Sequence, residues 1–270
     1  MTEVAHNPAS RQWKKPPFIA NTTLRYGLLA LVVLYFVAAF MSYEVNWTRV
    51  YEGLDRGWEF IKAFSRPDFV THAEDIFAGI WESIVITVTA TVAGVFLAIP
   101  VALGAASNLA PKIVYLISRG FIAIARALHE IIVAILMVAI FGFGPFAGFI
   151  TLTFSTIGFI AKLLAEDIEN INKSQAEAVQ ATGAGWWQWI NYAVQPQVMP
   201  RLIGLAIYRV DINFRSSSIL GLVGAGGVGA TLNTAFDRYE FDTAAAIILI
   251  IIAIVLVLEY GSSFIRAKVQ

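Results

Sequence analysis

Residues 174–200, SQAEAVQATGAGWWQWINYAVQPQVMP, lie between two segments too apolar for water. A connection between membrane spans needs only to be polar. This one carries helix signals, a glycine break and two prolines, Pro196 and Pro200. Ser174 with Glu177 reads as a capping box, in which the serine accepts from the third helical N–H and the glutamate reaches back. Residues 176–181 favour helix, and Gly183 and Gly185 interrupt it. Trp186, Trp187, Trp189, Ile190 and Val194 supply a second apolar helical stretch, predicted to end near Pro196. The pattern predicts two short helices on a connection between spans, which is a docking surface. The plainer alternative is an amphipathic loop held at the interface by its tryptophans.

The flanks make this an all-α polytopic membrane protein. Of 270 residues, 58% are hydrophobic, against about 45–50% in soluble globular chains, and the mean hydropathy is +0.69. The net formal charge is zero, which gives a nucleic-acid partner no support. The absence of cysteine excludes disulfides and thiol chemistry. His6, His72 and His129 are scattered without metal-ligand spacing. The first residues are polar and basic, and the apolar run after them is long enough to span, so no secretory signal is read.

About 20 apolar residues cross a bilayer as a helix. Six candidates emerge, at 24–41, 76–106, 113–141, 146–165, 202–222 and 244–264, with Pro100 expected to kink the second. A β-barrel would show short alternating segments instead. The chain therefore divides into an N-terminal tail (1–23), a first span with an outer helix (24–75), a core (76–265) containing the loop 166–201, and a C-terminal tail (266–270). With the N-terminus inside, the inner segments hold ten cations: Arg11, Lys14, Lys15, Arg25, Lys112, Lys162, Lys173, Arg201, Arg266 and Lys268. The outer segments hold five: Arg49, Arg56, Lys62, Arg66 and Arg238. This bias predicts both termini, and the segment 174–200, on the cytoplasmic side.

Outside, Trp47, Val50, Leu54, Trp58 and Ile61 recur at helical spacing, with Glu44, Glu52, Asp55 and Glu59 on other faces, predicting a helix along the interface. At the end of the fifth span stands GLVGAGGVG (221–229). Its Gly221, Gly224, Gly226, Gly227 and Gly229 break a helix or permit close backbone approach. The run mimics a dinucleotide loop, but no strand precedes it.

Two charged clusters fall inside spans, where an ionised side chain costs roughly 2.5–3.5 kcal/mol on insertion scales. The third span holds Arg119, Arg126, His129 and Glu130. The fifth holds Arg209, Asp211, Asn213 and Arg215, followed by three serines. Arg126 with Glu130, and Asp211 with Arg215, stand four apart on helical faces and can pair. Arg209 is then left without a local carboxylate. A surplus guanidinium facing a cavity suits an anionic solute, since its planar fork fits oxyanions. Arg126, Glu130, Arg209, Asp211 and Arg215 are thus candidates for lining a solute path or gate, against the alternative that they lock helices together.

The loop resembles the cytoplasmic coupling loop of bacterial ABC importer permeases. The family pattern is Glu-Ala-Ala, three residues, Gly, nine residues, then Ile-x-Leu-Pro. Glu177, Ala178, Gly183 and Pro196 match it, whereas Val179, Ala193 and Gln195 depart from it. RGFIAIARALHEIIVAIL (119–136) and RVDINFRSSSILGLVGAGGVG (209–229) further resemble phosphonate importer permeases. The resemblance implies a type I, MetI-like architecture in the inner membrane. It also implies a partnership with a second copy of the chain, two cytoplasmic ABC ATPase subunits and an extracytoplasmic solute-binding protein. Transport of phosphonate, phosphite or another small solute would proceed by alternating access. ATP and magnesium would sit on the partner ATPase, because this chain has no Walker loop and needs no cofactor of its own. A self-sufficient carrier or channel is the alternative, but it leaves the elaborate loop without a purpose. An intramembrane enzyme would rest on His129-Glu130 alone, which lacks the second histidine of a zinc site.

Overall fold

The computed structural model describes residues 19, 21–43 and 46–269, the side chains of 266–269 excepted. Arg11, Lys14, Lys15, Glu44 and the side chains of Arg266 and Lys268, used above for topology and patterning, lie outside the described residues. Among the described residues the chain is helical throughout, with no strand. It divides into two compact units, Met1–Arg56 and Gly57–Gln270. The first holds α1 (Thr22–Ser42), whose cap, Asn21, accepts from the N–H groups of Thr23 and Leu24. Helix α2 (Trp47–Ala63) runs across the division. Its Trp47, Val50, Leu54, Trp58 and Ile61 form the expected stripe, and every one is exposed.

The second unit is organised around α3 (Ala73–Ala105) and α6 (Pro145–Glu169). Ala90, Gly94, Ala98, Ala102 and Ala106 recur every four residues and are all buried. Such a small-residue stripe lets two backbones approach closely in a membrane, where apolar burial alone gives helices no reason to associate. At Gly94 even a methyl group would fall 2.5 Å from Thr156 Cβ. Helix α3 runs unbroken through Pro100.

Two of the six expected spans are bent. Helices α4 (Lys112–Ala127) and α5 (Glu130–Phe141) meet at 95°. The continuous helix expected over 113–141 is interrupted at Leu128, which is extended (φ −85°, ψ 127°). His129 caps α5, its Nδ1 accepting from Ile131 N–H at 3.4 Å. The fifth span starts earlier than expected. Helix α7 (Lys173–Ala181) is followed by α8 (Trp186–Trp189), a π-helical turn (Ile190–Val194) and α9 (Gln195–Leu220). Pro196 therefore does not end the tryptophan helix. The wider turn lets the chain continue, and proline falls in the first turn of α9, where its missing N–H costs nothing. A 3₁₀ turn (Gly221–Val223) leads to α10 (Val228–Asp237), bent 41° from the preceding run, and α11 (Phe241–Val269) returns. Helices α1, α3, α6 and α11 are each long and apolar enough to cross a membrane, and the two bent pairs bring the total to six.

Candidate functional site

The loop element is built from α7, its cap and the tryptophan helix. Asn172, not Ser174, caps α7. Its Oδ1 accepts from Ser174 N–H at 3.0 Å and from Gln175 N–H at 3.4 Å. The capping box is not formed, because asparagine two residues upstream already holds the N–H of Ser174. Glu177 instead stands exposed on α7 and lines an open groove of about 630 Å³ with Ser107, Glu169, Lys173, Gln180 and Trp186. Ala178 is also exposed and lines a second groove with Gly183 and Tyr192. Gly183 adopts φ +80°, the left-handed conformation that ends helices and that glycine takes without strain. The chain then re-enters helix at Gly185, whose N–H donates to Gln188 Oε1 at 2.9 Å.

One tie closes this element, one joins it to α9, and two ion pairs join the span ends beside it. Trp189 is 9% exposed and donates from Nε1 to the Ala176 carbonyl at 3.1 Å. Asn172 N–H donates to Gln197 Oε1 at 2.8 Å. Arg201 pairs with Asp167 at 3.1 Å, and Arg119 with Glu169 at 3.0 Å. Arg119, read from sequence as an intramembrane charge, thus sits at the loop-bearing end, where its Nε also donates to Ala105 O.

The second constellation lies at mid-depth. Ser155 is ten residues from one end of α6 and fourteen from the other, about 15 and 21 Å at helical rise. Around it, Arg209 donates from Nη2 to Glu130 Oε1 at 2.8 Å and to Ser155 Oγ at 2.6 Å, and from Nε to Thr156 Oγ1 at 3.1 Å. Ser155 Oγ also donates to Glu130 Oε1 at 2.5 Å. Asn213 Nδ2 donates to Thr156 Oγ1 at 3.0 Å and to Thr91 Oγ1 at 2.8 Å, so one polar network joins α3, α5, α6 and α9. Arg209 is 4% exposed and its guanidinium lies 5.4 Å from the Phe159 ring centroid.

Two expectations from sequence are corrected here. Arg126 and Glu130 do not share a helical face, because the chain breaks between them at Leu128. Arg209 does not lack a carboxylate, because Glu130 is free to reach it. The surplus cation of this cluster is Arg126, which is exposed and has no ion-pair partner among the described residues. Asp211 and Arg215 do pair, at 2.5 Å, and Arg215 also reaches Glu259 at 3.5 Å. Sequence reasoning missed Ser155, Thr156 and Thr91. The signal for the first two was a hydroxyl-bearing stretch, TLTFSTIG (151–158), inside an otherwise apolar span.

The glycine segment packs within its own chain. Gly224, Gly226 and Gly227 all have φ between 80° and 87°. A methyl on Gly227 would fall 2.4 Å from Ser83 Oγ, and one on Gly229 only 2.0 Å from the Ser218 carbonyl. Gly221 meets the backbone of Gly229 and Ala230, and Val228 N–H donates to Ser83 Oγ at 2.9 Å. These approaches give the glycines of 221–229 close contacts within the chain.

Residues 94–269 match the family described as the binding-protein-dependent transport system inner membrane component. The chain is 39% identical over 90% of its length to the phosphate-import permease protein PhnE of Mycolicibacterium smegmatis, of which it spans 46%. It is 35% identical to the phosphite transport system permease protein PtxC of Stutzerimonas stutzeri, over 68% of each chain. Among solved structures, the MetNI methionine ABC transporter in an inward-facing conformation shares the fold, with a TM-score of 0.62 and 21% identity over 72% of this chain and 96% of that one.

Proposed function

The chain belongs to the family of binding-protein-dependent transport system inner membrane components, and on that premise we propose that it is the membrane-spanning subunit of an ATP-driven importer for phosphate-like oxyanions. Phosphate, phosphite and phosphonate share the tetrahedral, oxygen-rich anionic form that guanidinium groups recognise. The names of the two relatives, one phosphate-import and one phosphite transport, support that class. The chain acts as a transport subunit and not as an enzyme.

The observation that carries the reading is the folded loop. Helix α7 is capped at one end, turned by a left-handed glycine at the other, and tied to α8 through Trp189. A connection so fixed can transmit a push from a soluble partner to the spans. The partner is a pair of ABC ATPase subunits, which supply the ATP and magnesium site, and an extracytoplasmic binding protein delivers the solute. One chain offers one such loop, whereas an ATPase pair needs two, so a second copy completes the pore. The lysine and arginine bias sets both termini and α7 on the cytoplasmic side. ATP binding draws the loops together, and the spans alternate between inward-open and outward-open.

The test is reconstitution of the chain with its ATPase and binding protein in proteoliposomes. ATP-dependent uptake of phosphate, phosphite or methylphosphonate is expected. Uptake driven by an ion gradient without any ATPase would instead establish a carrier.

A further inference from the structure

Arg126, His129, Glu130, Ser155, Phe159 and Arg209 line one open cleft of about 330 Å³ at mid-depth. Its ionic groups are two arginines and one carboxylate, and the carboxylate is already engaged. Glu130 is held by Arg209 at 2.8 Å and by Ser155 at 2.5 Å. Arg126 is therefore exposed in the cleft without a counter-ion among the described residues. The Nδ1 of His129 is occupied as an acceptor of Ile131 N–H, so the neutral ring keeps its proton on Nε2 as a donor. The cleft also contains the start of α5, a helix of twelve residues whose N-terminal dipole is positive.

An uncompensated arginine in a span is costly in hydrocarbon and is stabilised by water or an anion. Resting on the importer reading above, we propose that Arg126 is the anion-contacting residue of the translocation path, taking a small tetrahedral oxyanion against its guanidinium fork, while Arg209 is a strut that holds Glu130 away from it. The division of labour explains why one cluster contains two arginines of opposite exposure. Arg209 is buried, hydrogen-bonded and satisfied, whereas Arg126 is open to the cleft. It also gives Glu130 a task. Released from Arg209, its carboxylate would compete with the solute for Arg126.

The experiment uses the complete importer in proteoliposomes, with phosphate, phosphite and methylphosphonate as separate probes. Arg126→Gln should lower uptake of the transported probe about tenfold or more, because the charged fork is gone. Assembly with the ATPase, and hydrolysis stimulated by the loaded binding protein, should stay within about twofold of the wild type. Arg126→Lys should recover part of the uptake, as a point charge replaces the fork. Uptake by Arg126→Gln within about twofold of the wild type overturns the assignment. Failure of both variants to assemble makes Arg126 structural and overturns it equally. A wild-type complex that moves none of the three probes instead removes the importer reading itself.

Discussion

Glu130 and Arg209, 79 positions apart, form an ion pair at 2.8 Å, whereas Arg126, only four positions from Glu130, has no carboxylate partner among the described residues. Removing one member of a buried pair typically costs about 3–5 kcal/mol because the other is left uncompensated. Glu130 keeps 22% of its side-chain exposure, which puts the cost at the lower end. Glu130→Gln and Arg209→Met should each lower the thermal midpoint in detergent, and the double variant should lose less than the two single losses added together. Strict additivity in that cycle would mean that the pair contributes no coupling.

Gly183 tests the turn after α7. Nothing lies within 4 Å of a methyl group built there, so the cost of substitution is purely conformational. A left-handed β-branched residue is strained by roughly 1–2 kcal/mol, while asparagine visits that region readily. Gly183→Val should express and insert normally but lose co-purification with the ATPase, and Gly183→Asn should retain it. Equal retention by both would show that the turn does not orient the loop.

Trp189→Phe keeps one aromatic ring, gives up part of the packing and deletes the hydrogen bond to the Ala176 carbonyl. The expected loss is at least about 1 kcal/mol, the share of the hydrogen bond, and is local to α7. Hydrogen exchange should accelerate over 173–181 and remain unchanged in α3 and α6. Unaltered protection of α7 would place its stability elsewhere.

The glycine segment predicts a contrast. A methyl at Gly229 collides with backbone atoms of Ser218 and Gly221, which cannot move aside cheaply, whereas one at Gly120 meets nothing. Overpacking of this kind costs about 1–3 kcal/mol. Gly229→Ala should lower the thermal midpoint whatever the oligomeric state, and Gly120→Ala, uncrowded in mid-helix, should hold or slightly raise it. Loss of dimer without loss of monomer stability in Gly229→Ala would instead assign this glycine to a subunit contact.

Topology is open to labelling, because the chain has no cysteine. Single cysteines at Glu59 and Arg238 should react with an impermeant maleimide from outside, and one at Gln180 should not. Outside labelling at Gln180 would reverse the orientation and remove α7 from reach of a cytoplasmic ATPase.

The spans were legible because twenty apolar residues in a row have few other uses, and the loop because glycine, tryptophan and proline punctuate it. The break at Leu128 was not legible. No glycine or proline marks it, and ARALHEII reads as uninterrupted helix with a spaced ion pair. What competes with that local pair is a distant one: Arg209 and Ser155 offer Glu130 three-dimensional partners that spacing cannot reveal. The cap was misplaced for a local reason. Ser174 and Asn172 both suit the position, and Asn172 is also anchored from its backbone by Gln197, a contact 25 residues away. Pro196 misled because a stop signal in sequence becomes a start signal once a π turn precedes it.

The bend at Leu128 assigns the one carboxylate of the cleft to a distant arginine rather than to a neighbouring one. On a continuous helix, residues 126 and 130 would be nearest neighbours on one face. On the bent chain the carboxylate lies instead on Arg209, at 2.8 Å. One break in the backbone thus decides which of the two arginines is left as the uncompensated cation of the cleft.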